Sequence, residues 1–273
     1  MLQPPPDSQR KEEKTSSSQA LTIALTARWQ TFPDRFRWIL DNGFALEYSA
    51  NPESLDLLPQ HVDSFLEYGV PVRYHALFPG YEIGHEDETI AERATLVHME
   101  TLKALQNRVE AVITLHVGFN PRDKLIPERI VANLSKIVAL GKNLGVTVCL
   151  ENLRRGLTSN PENVLKWASA AGAMITLDIG HAVSCELVQK GELKVTDFVD
   201  MFAPRLFEAH MYERETDRHH PPKDLSVIGP VVERLLTTKC HWWTIELDDY
   251  EEALDTRKLL RDFLTPLKIA TLP

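Results

Sequence analysis

The strongest constraint on this chain is a rhythm of eight short, mostly apolar runs separated by longer amphipathic ones. The short runs are LTIALT from Leu21, FALEYS from Phe44, VPVRYHA from Val70, AVITLHV from Ala111, VTVCLEN from Val146, AMITLDIG from Ala173, RLFEAHMY from Arg205 and HWWTIEL from His241. Rich in β-branched and aromatic residues, they read as parallel strands buried on both faces. The gaps carry helical patterns. ETIAERATLVHMETLKALQNRV repeats apolar residues at three- and four-residue intervals. PERIVANLSKIVALGKNLG has Pro127 near its start and Gly145 just past its end, and NPENVLKWASAAG runs from a capping Asn160 to Gly172. SVIGPVVERLLTTK and DYEEALDTRKLLRDFL complete the series, and a broken pattern between Ala182 and Met201 predicts two short helices around Lys190-Gly191. Alternating β and α units imply parallel strands joined by crossover helices. Eight such units predict closure into an α/β fold of one domain, a (β/α)8 TIM barrel over residues 21–273. The length of 273 residues suits a barrel of roughly 250 residues.

The first stretch, MLQPPPDSQRKEEKTSSSQA, is polar and rich in Pro and Ser, which predicts a disordered tail over residues 1–20 and no signal peptide. No apolar run approaches the roughly 20 residues that a membrane helix needs, so no membrane partner is expected. The three cysteines, Cys149, Cys185 and Cys240, cannot all pair and match no zinc-finger spacing; a reducing, cytoplasmic setting is the expectation. A net charge of -9 gives no general attraction for nucleic acid.

The strand ends carry the chemistry. In a barrel the C-terminal strand ends converge on one face, where function sits. Here they bear His75, His116, Glu151, Asp178, His210 and Glu246, with His181 three residues past Asp178 and with Asp217 and His219 in the loop after His210. His61 and His98 fall on helices, and His241 begins a strand at the opposite end of the barrel. Charged groups converging on a barrel mouth must be paired or metal-bound, because an isolated buried charge is costly. Mixed imidazole and carboxylate donors favour zinc, manganese or iron, with zinc or manganese expected at one to three ions per chain. Against Glu151, Asp178, Asp217 and Glu246, one divalent ion leaves about -2 and three give about +2. The first suits a neutral sugar and the second a phosphate.

The motifs YHA, LHVG, LEN, LDIGH, EAH, DRHH and IEL, in that order and at strand ends, resemble the xylose-isomerase-like TIM barrels. That superfamily includes endonuclease IV (AP endonuclease family 2) and sugar phosphate isomerases and epimerases. The endonuclease resemblance implies three zinc sites: His75 and His116 with a bridging Glu151; Asp178, His210 and Glu246 with that same Glu151; and His181, Asp217 and His219. The isomerase resemblance implies one ion on Glu151, Asp178, His210 and Glu246. There Glu151 and Glu246 serve as acid and base, and His181 contacts substrate, which makes these three the catalytic candidates. Endonuclease IV presses arginine and aromatic side chains into DNA from loops after its early strands. The corresponding loops here, YSANPESLDL and FPGYEIGHEDE, are acidic, and PPKDLSVIG replaces a Gly-x-Gly loop after DRHH. Arg154, Arg218, Phe78 and Tyr81 are the substrate-binding candidates near the mouth, alongside Arg155.

The acidic loops favour a metal-dependent sugar or sugar phosphate isomerase or epimerase acting by carboxylate acid/base chemistry. The alternative is an endonuclease IV-like multinuclear phosphodiesterase acting on a smaller phosphoester or, less favoured, abasic DNA. A non-catalytic binding barrel ranks third, because the ligand set is complete.

Overall fold

The computed structural model describes residues 20–272, so the expected tail lies outside the described residues except for Ala20. Seven parallel strands follow one another: β1 (Leu21–Arg28), β2 (Ala45–Ser49), β3 (Val72–Ala76), β4 (Val112–Leu115), β5 (Thr147–Glu151), β6 (Met174–Asp178) and β7 (Leu206–Met211). A small hairpin of β8 (Arg214–Glu215) and β9 (His219–His220) intervenes before β10 (Trp242–Ile245). Strand β10 pairs with both β7 and β1 and closes a (β/α)8 TIM barrel. A short β11 (Thr271–Leu272) runs beside the start of β1. Seven of the eight apolar runs contain a barrel strand, and the first opens β1, which continues two residues beyond it.

The connecting helices are α1 (Phe32–Asn42), α2 (Leu57–Glu67), α3 (Glu88–Ala104), α4 (Pro127–Leu144) and α5 (Pro161–Ala171). Then come α6 (Ile179–Ser184), α7 (Glu186–Gln189), α8 (Val195–Phe202), α9 (Gly229–Leu235) and α10 (Tyr250–Leu264). The expected punctuation is in place. Gly145 ends α4 at φ 74°, where a side chain would be strained, and the Asn160 side chain caps α5 by accepting from the Glu162 amide. The pair of helices expected around Lys190-Gly191 is α7 and α8; α6, starting directly at the end of β6, precedes them. The SVIGPVVERLLTTK pattern yields only the short α9, which starts no earlier than Gly229, with Pro230 in its first turn. No described helix is long and apolar enough to cross a membrane.

The main core lies between strands and helices, where Leu25, Leu46, Phe65, Ile137, Phe202 and Trp243 are buried. The barrel interior differs. A separate apolar cluster of Ala24, Ala45 and Trp242 lies there, the two alanines making room for the indole. Beside it the lining is polar. Thr114 and Thr176 share a hydroxyl hydrogen bond of 2.6 Å, and the Trp242 indole donates to Thr244 at 3.0 Å. Thr244 donates in turn to Glu208 at 2.9 Å. Arg73 pairs with Glu208 at 3.1 Å, its guanidinium 4.8 Å from the Phe207 ring centroid and 4.5 Å from that of Trp242. Side chains alternate along a strand, so Arg73 and His75, Thr176 and Asp178, Glu208 and His210, and Thr244 and Glu246 share the inward face. Each pair puts one residue into a lower layer and one at the mouth.

Candidate metal centre

Strand register gathers the mouth. Asp178 lies opposite His210 across β6 and β7, while His75 lies at the end of β3, Glu151 ends β5, and His116 and Glu246 follow β4 and β10 directly. His75 Nε2 and His116 Nε2 approach to 3.0 Å, and Glu151 Oε2 lies 3.3 Å from the first and 3.0 Å from the second. Beside this triangle, His210 Nδ1 faces Glu151 at 3.5 Å, Asp178 at 3.8 Å and Glu246 at 3.5 Å, and makes no hydrogen bond.

A third group forms over α6. His181 Nε2 is 3.3 Å from Glu215, and His219 lies within ligating reach of both. The two imidazoles are held from behind by backbone carbonyls: His181 Nδ1 lies 3.0 Å from Asn152 O, and His219 Nδ1 lies 2.9 Å from Glu246 O. With those nitrogens protonated, both Nε2 lone pairs are free. Asn152 also braces Asp178, donating to its carbonyl and accepting from its amide, each at 2.9 Å. Tyr212 stacks on His219 with ring centroids 4.0 Å apart and donates to Asp178 at 3.0 Å. Gly180 permits this packing, since a Cβ there would overlap the Tyr212 ring. The Asn of LEN, the Gly of LDIGH and the Tyr after EAHM thus orient the donors around them.

Asp217 departs from the expected set. In the hairpin, Glu215 lies opposite His219, while residues 216–218 form the turn. Strand pairing therefore faces Glu215, not Asp217, toward His181. The Asp217 side chain is 89% exposed and accepts from the Thr216 hydroxyl.

The substrate-binding candidates also have internal partners. Arg154 spans Glu215 at 3.2 Å and the carbonyls of Glu215 and Thr216, tying down the hairpin. Arg218 grips Glu252 with two hydrogen bonds of 2.7 and 2.8 Å. Phe78 is buried against His98, and burial pushes His98 down to about 4, as suits a neutral core imidazole. Phe78 and Tyr81 line a narrow recess that also reaches His116. Arg155 is exposed, makes no ion pair among the described residues, and edges a pocket lined by Phe119, Leu153 and His181.

Two carboxylates join the site unannounced by the strand-end pattern. One is Glu215. The other is Glu47 of β2, fully buried, with Oε1 3.2 Å from His210 Nε2 and 3.7 Å from His75 Nδ1. A lone acid inside FALEYS, a strand buried on both faces, is the signal that could have found it.

The charges are mutually dependent. Burial pushes His75 down, but the carboxylates of Glu151, Glu246 and Glu47 overcome it and raise its pKa to about 10. Burial likewise opposes the charged forms of His181 and His210, and the carboxylates around them raise both well above the ordinary imidazole value. Burial pushes Glu151 and Glu246 up, and the neighbouring imidazoles pull both below the usual carboxylate range. Protons or divalent cations must balance this cluster.

Divalent ions fit it. A tetrahedral ion with bonds of about 2.0–2.1 Å sets its donors about 3.3–3.5 Å apart. The spacings around Glu151 lie close to that range, and His210 Nδ1 is buried, unbonded and surrounded by acceptors. His75–His116–Glu151, Glu151–Asp178–His210 and His181–Glu215–His219 each bring donor atoms within 4.8 Å of one another, and Glu47, His75, His210 and Glu246 form a further group.

A closed (β/α)8 barrel whose mouth gathers imidazoles and carboxylates defines the class. The chain belongs to the family described as xylose isomerase-like TIM barrel (AP endonuclease family 2), whose model matches residues 42–266. An uncharacterised protein of Methanocaldococcus jannaschii is 33% identical over 171 residues, covering 60% of this chain and 74% of that protein. Among solved structures, a D-tagatose 3-epimerase-like protein superposes with TM-score 0.74 at 18% identity, covering 90% of this chain and 98% of that one. Endonuclease IV from Thermus thermophilus superposes with TM-score 0.64 at 19% identity, covering 90% and 99%. These likenesses establish the fold.

Proposed function

We propose that the chain is a multinuclear metal-dependent phosphoesterase acting on a small substrate. The observation that carries this is the surroundings of Glu151. Its Oε2 lies within 3.0–3.5 Å of His116, His75 and His210, and its Oε1 is 3.5 Å from His181. A single carboxylate oxygen that faces His75 and His116 of one ligand group and His210 of the next suits a bridging ligand, while Oε1 faces the His181 nitrogen that the Asn152 carbonyl also holds. His75, His116 and Glu151 would hold one ion; Glu151, Asp178, His210 and Glu246 a second; His181, Glu215 and His219 a third. Bound zinc or manganese would supply Lewis acidity and a more acidic water. The chain's own residues fix the donor directions, through Asn152, Tyr212 and the backbone carbonyls behind His181 and His219. The pocket edged by His181, Phe119 and Arg155, which Glu215 also lines, offers a phosphate-bearing group an apolar wall and a cation that makes no ion pair among the described residues. The acidic loops after β2 and β3 argue against extended DNA as the substrate.

A sugar isomerase or epimerase is the second reading, favoured by those same acidic loops and by Glu151 and Glu246 lying on either side of one imidazole. In it Glu246, the less deeply buried of the two carboxylates, would be the base, and His181 would contact substrate oxygens. A non-catalytic binding role predicts no retained metal at all. Elemental analysis of untagged protein, paired with turnover of a phosphodiester panel, tests the proposal: two or three ions per chain and phosphodiester cleavage are expected. One ion per chain with exchange of a carbon-bound proton of a ketose in heavy water would instead establish the second reading.

A further inference from the structure

Glu47 is fully buried, has no solvent to satisfy it, and leaves Oε2 without a hydrogen-bond partner. Such a carboxylate is costly unless it acts on a neighbouring charge. Among the described residues its close contacts to ionisable groups are through Oε1, to His210 Nε2 at 3.2 Å and His75 Nδ1 at 3.7 Å. The other nitrogen of His210 points at three carboxylates, each at 3.5–3.8 Å and none hydrogen-bonded to it. The two sides of this ring are thus unlike. One nitrogen has a single acceptor at hydrogen-bonding distance, and the other has several oxygens at the separation of donors that share an ion. The nearest acceptors behind His181 and His219 are backbone carbonyls at 3.0 and 2.9 Å, with carboxylate oxygens farther off at 3.4–3.8 Å, whereas the nearest acceptor behind His210 is a carboxylate. A carboxylate behind a ligating imidazole fixes its tautomer and raises its basicity. Glu208 also faces His210 Nε2, but at 3.9 Å, beyond hydrogen-bonding distance, and it is occupied by Arg73 and Thr244.

We propose that Glu47 is a positioning residue of the metal centre: it accepts the Nε2 proton of His210, fixes Nδ1 as the ligating atom and sets the affinity of the ion held with Glu151, Asp178 and Glu246. This rests on the metal-bearing part of the proposed function and not on its reaction class.

The test uses the full chain stripped of metal by chelation and titrated with cobalt(II) and zinc, comparing wild type, E47Q and E47A. Long-range 1H–15N spectra of histidine-labelled wild type are recorded with and without zinc. In the zinc-loaded wild type, His210 should be protonated at Nε2 and coordinated through Nδ1. In E47Q one ion should bind about 10- to 100-fold more weakly while the others keep their affinity, and E47A should lose more. Unchanged affinities in both variants, or His210 coordinated through Nε2, overturn the role of Glu47 alone. If both variants fail to fold, the wild-type tautomer still decides. A wild type that retains no ion overturns the metal reading itself, and this proposal with it.

Discussion

Two layers of buried charge are stacked inside this barrel, and they are balanced in opposite ways. In the lower layer Glu208 is 3.1 Å from Arg73 and accepts from Thr244 at 2.9 Å, and the guanidinium is sandwiched by Phe207 and Trp242. That layer carries its own cation and its own hydrogen bonds. At the mouth, Glu151, Asp178 and Glu246 face imidazoles, at separations too long for good hydrogen bonds around His210. The floor is internally satisfied and so is structural; the mouth, in the proposed function, is left for an outside cation. Glu47 lies between them, buried like the floor but aimed at a mouth histidine.

The largest effect should come from the residue that joins the mouth together. E151Q should remove two ions per chain by elemental analysis and lower any metal-dependent turnover by roughly a thousand-fold, about 4 kcal/mol. If E151Q keeps the wild-type metal content, Glu151 is not the bridge and the mouth is not a shared centre.

On the floor the expected loss is stability, not metal. R73M leaves Glu208 without its cation and should destabilise the apo protein by about 3–5 kcal/mol in urea unfolding near pH 8. Burial and the charge of Glu47 raise Glu208 to about 7, against the pull of Arg73. Near pH 6 Glu208 is therefore largely protonated in the wild type as well, the ion pair contributes less, and the deficit should shrink. A deficit independent of pH would mean that the lost packing of the guanidinium, not its charge, accounts for the effect.

The contrast also predicts a pH dependence that metal should erase. His75, His181 and His210 have folded pKa values raised above the roughly 6.5 of an unfolded histidine, His75 to about 10. Between those values the folded apo chain binds more protons than the unfolded one, so its stability falls as pH rises. The apo protein should lose thermal midpoint steadily from about pH 6.5 toward 10, at about 2–4 °C per kcal/mol lost. The zinc-loaded protein should stay nearly flat over that window, because its imidazoles are already deprotonated, and loading at pH 7 should release protons measurable in weak buffer. An apo midpoint that does not fall would show that the carboxylates do not hold those protons.

Legibility from sequence followed the same division. An apolar run that ends on a polar residue can be read directly, which is why the eight strands and the positions of His75, His116, Glu151, Asp178, His210 and Glu246 were accessible. Glu47 escaped because it lies one inward position below the end of its strand, outside a donor pattern confined to strand ends. Arg154 and Arg218 looked like cations waiting for substrate because their partners, Glu215 and Glu252, come from distant parts of the chain. The hairpin was invisible: its two-residue strands are too short and polar for any periodicity.

That hairpin supplies the smallest and most discriminating prediction. The DRHH spacing nominates Asp217 as partner of His181 and His219, whereas the β8–β9 pairing puts Glu215 there and sends Asp217 to the turn. D217N alters an exposed side chain, so it should leave metal content unchanged and stability within about 0.5 kcal/mol. E215Q should weaken one ion and only that ion, because Glu215 shares no donor with the His75–His116–Glu151 group. E215Q also relaxes the hold of Arg154 on the hairpin, although the guanidinium keeps its two backbone carbonyls. The hairpin should therefore stay in place, and the loss should register as affinity for one ion in a zinc titration. If D217N and not E215Q costs that ion, then metal loading refolds the turn, and the third group is assembled by the ion and not by the strand pairing.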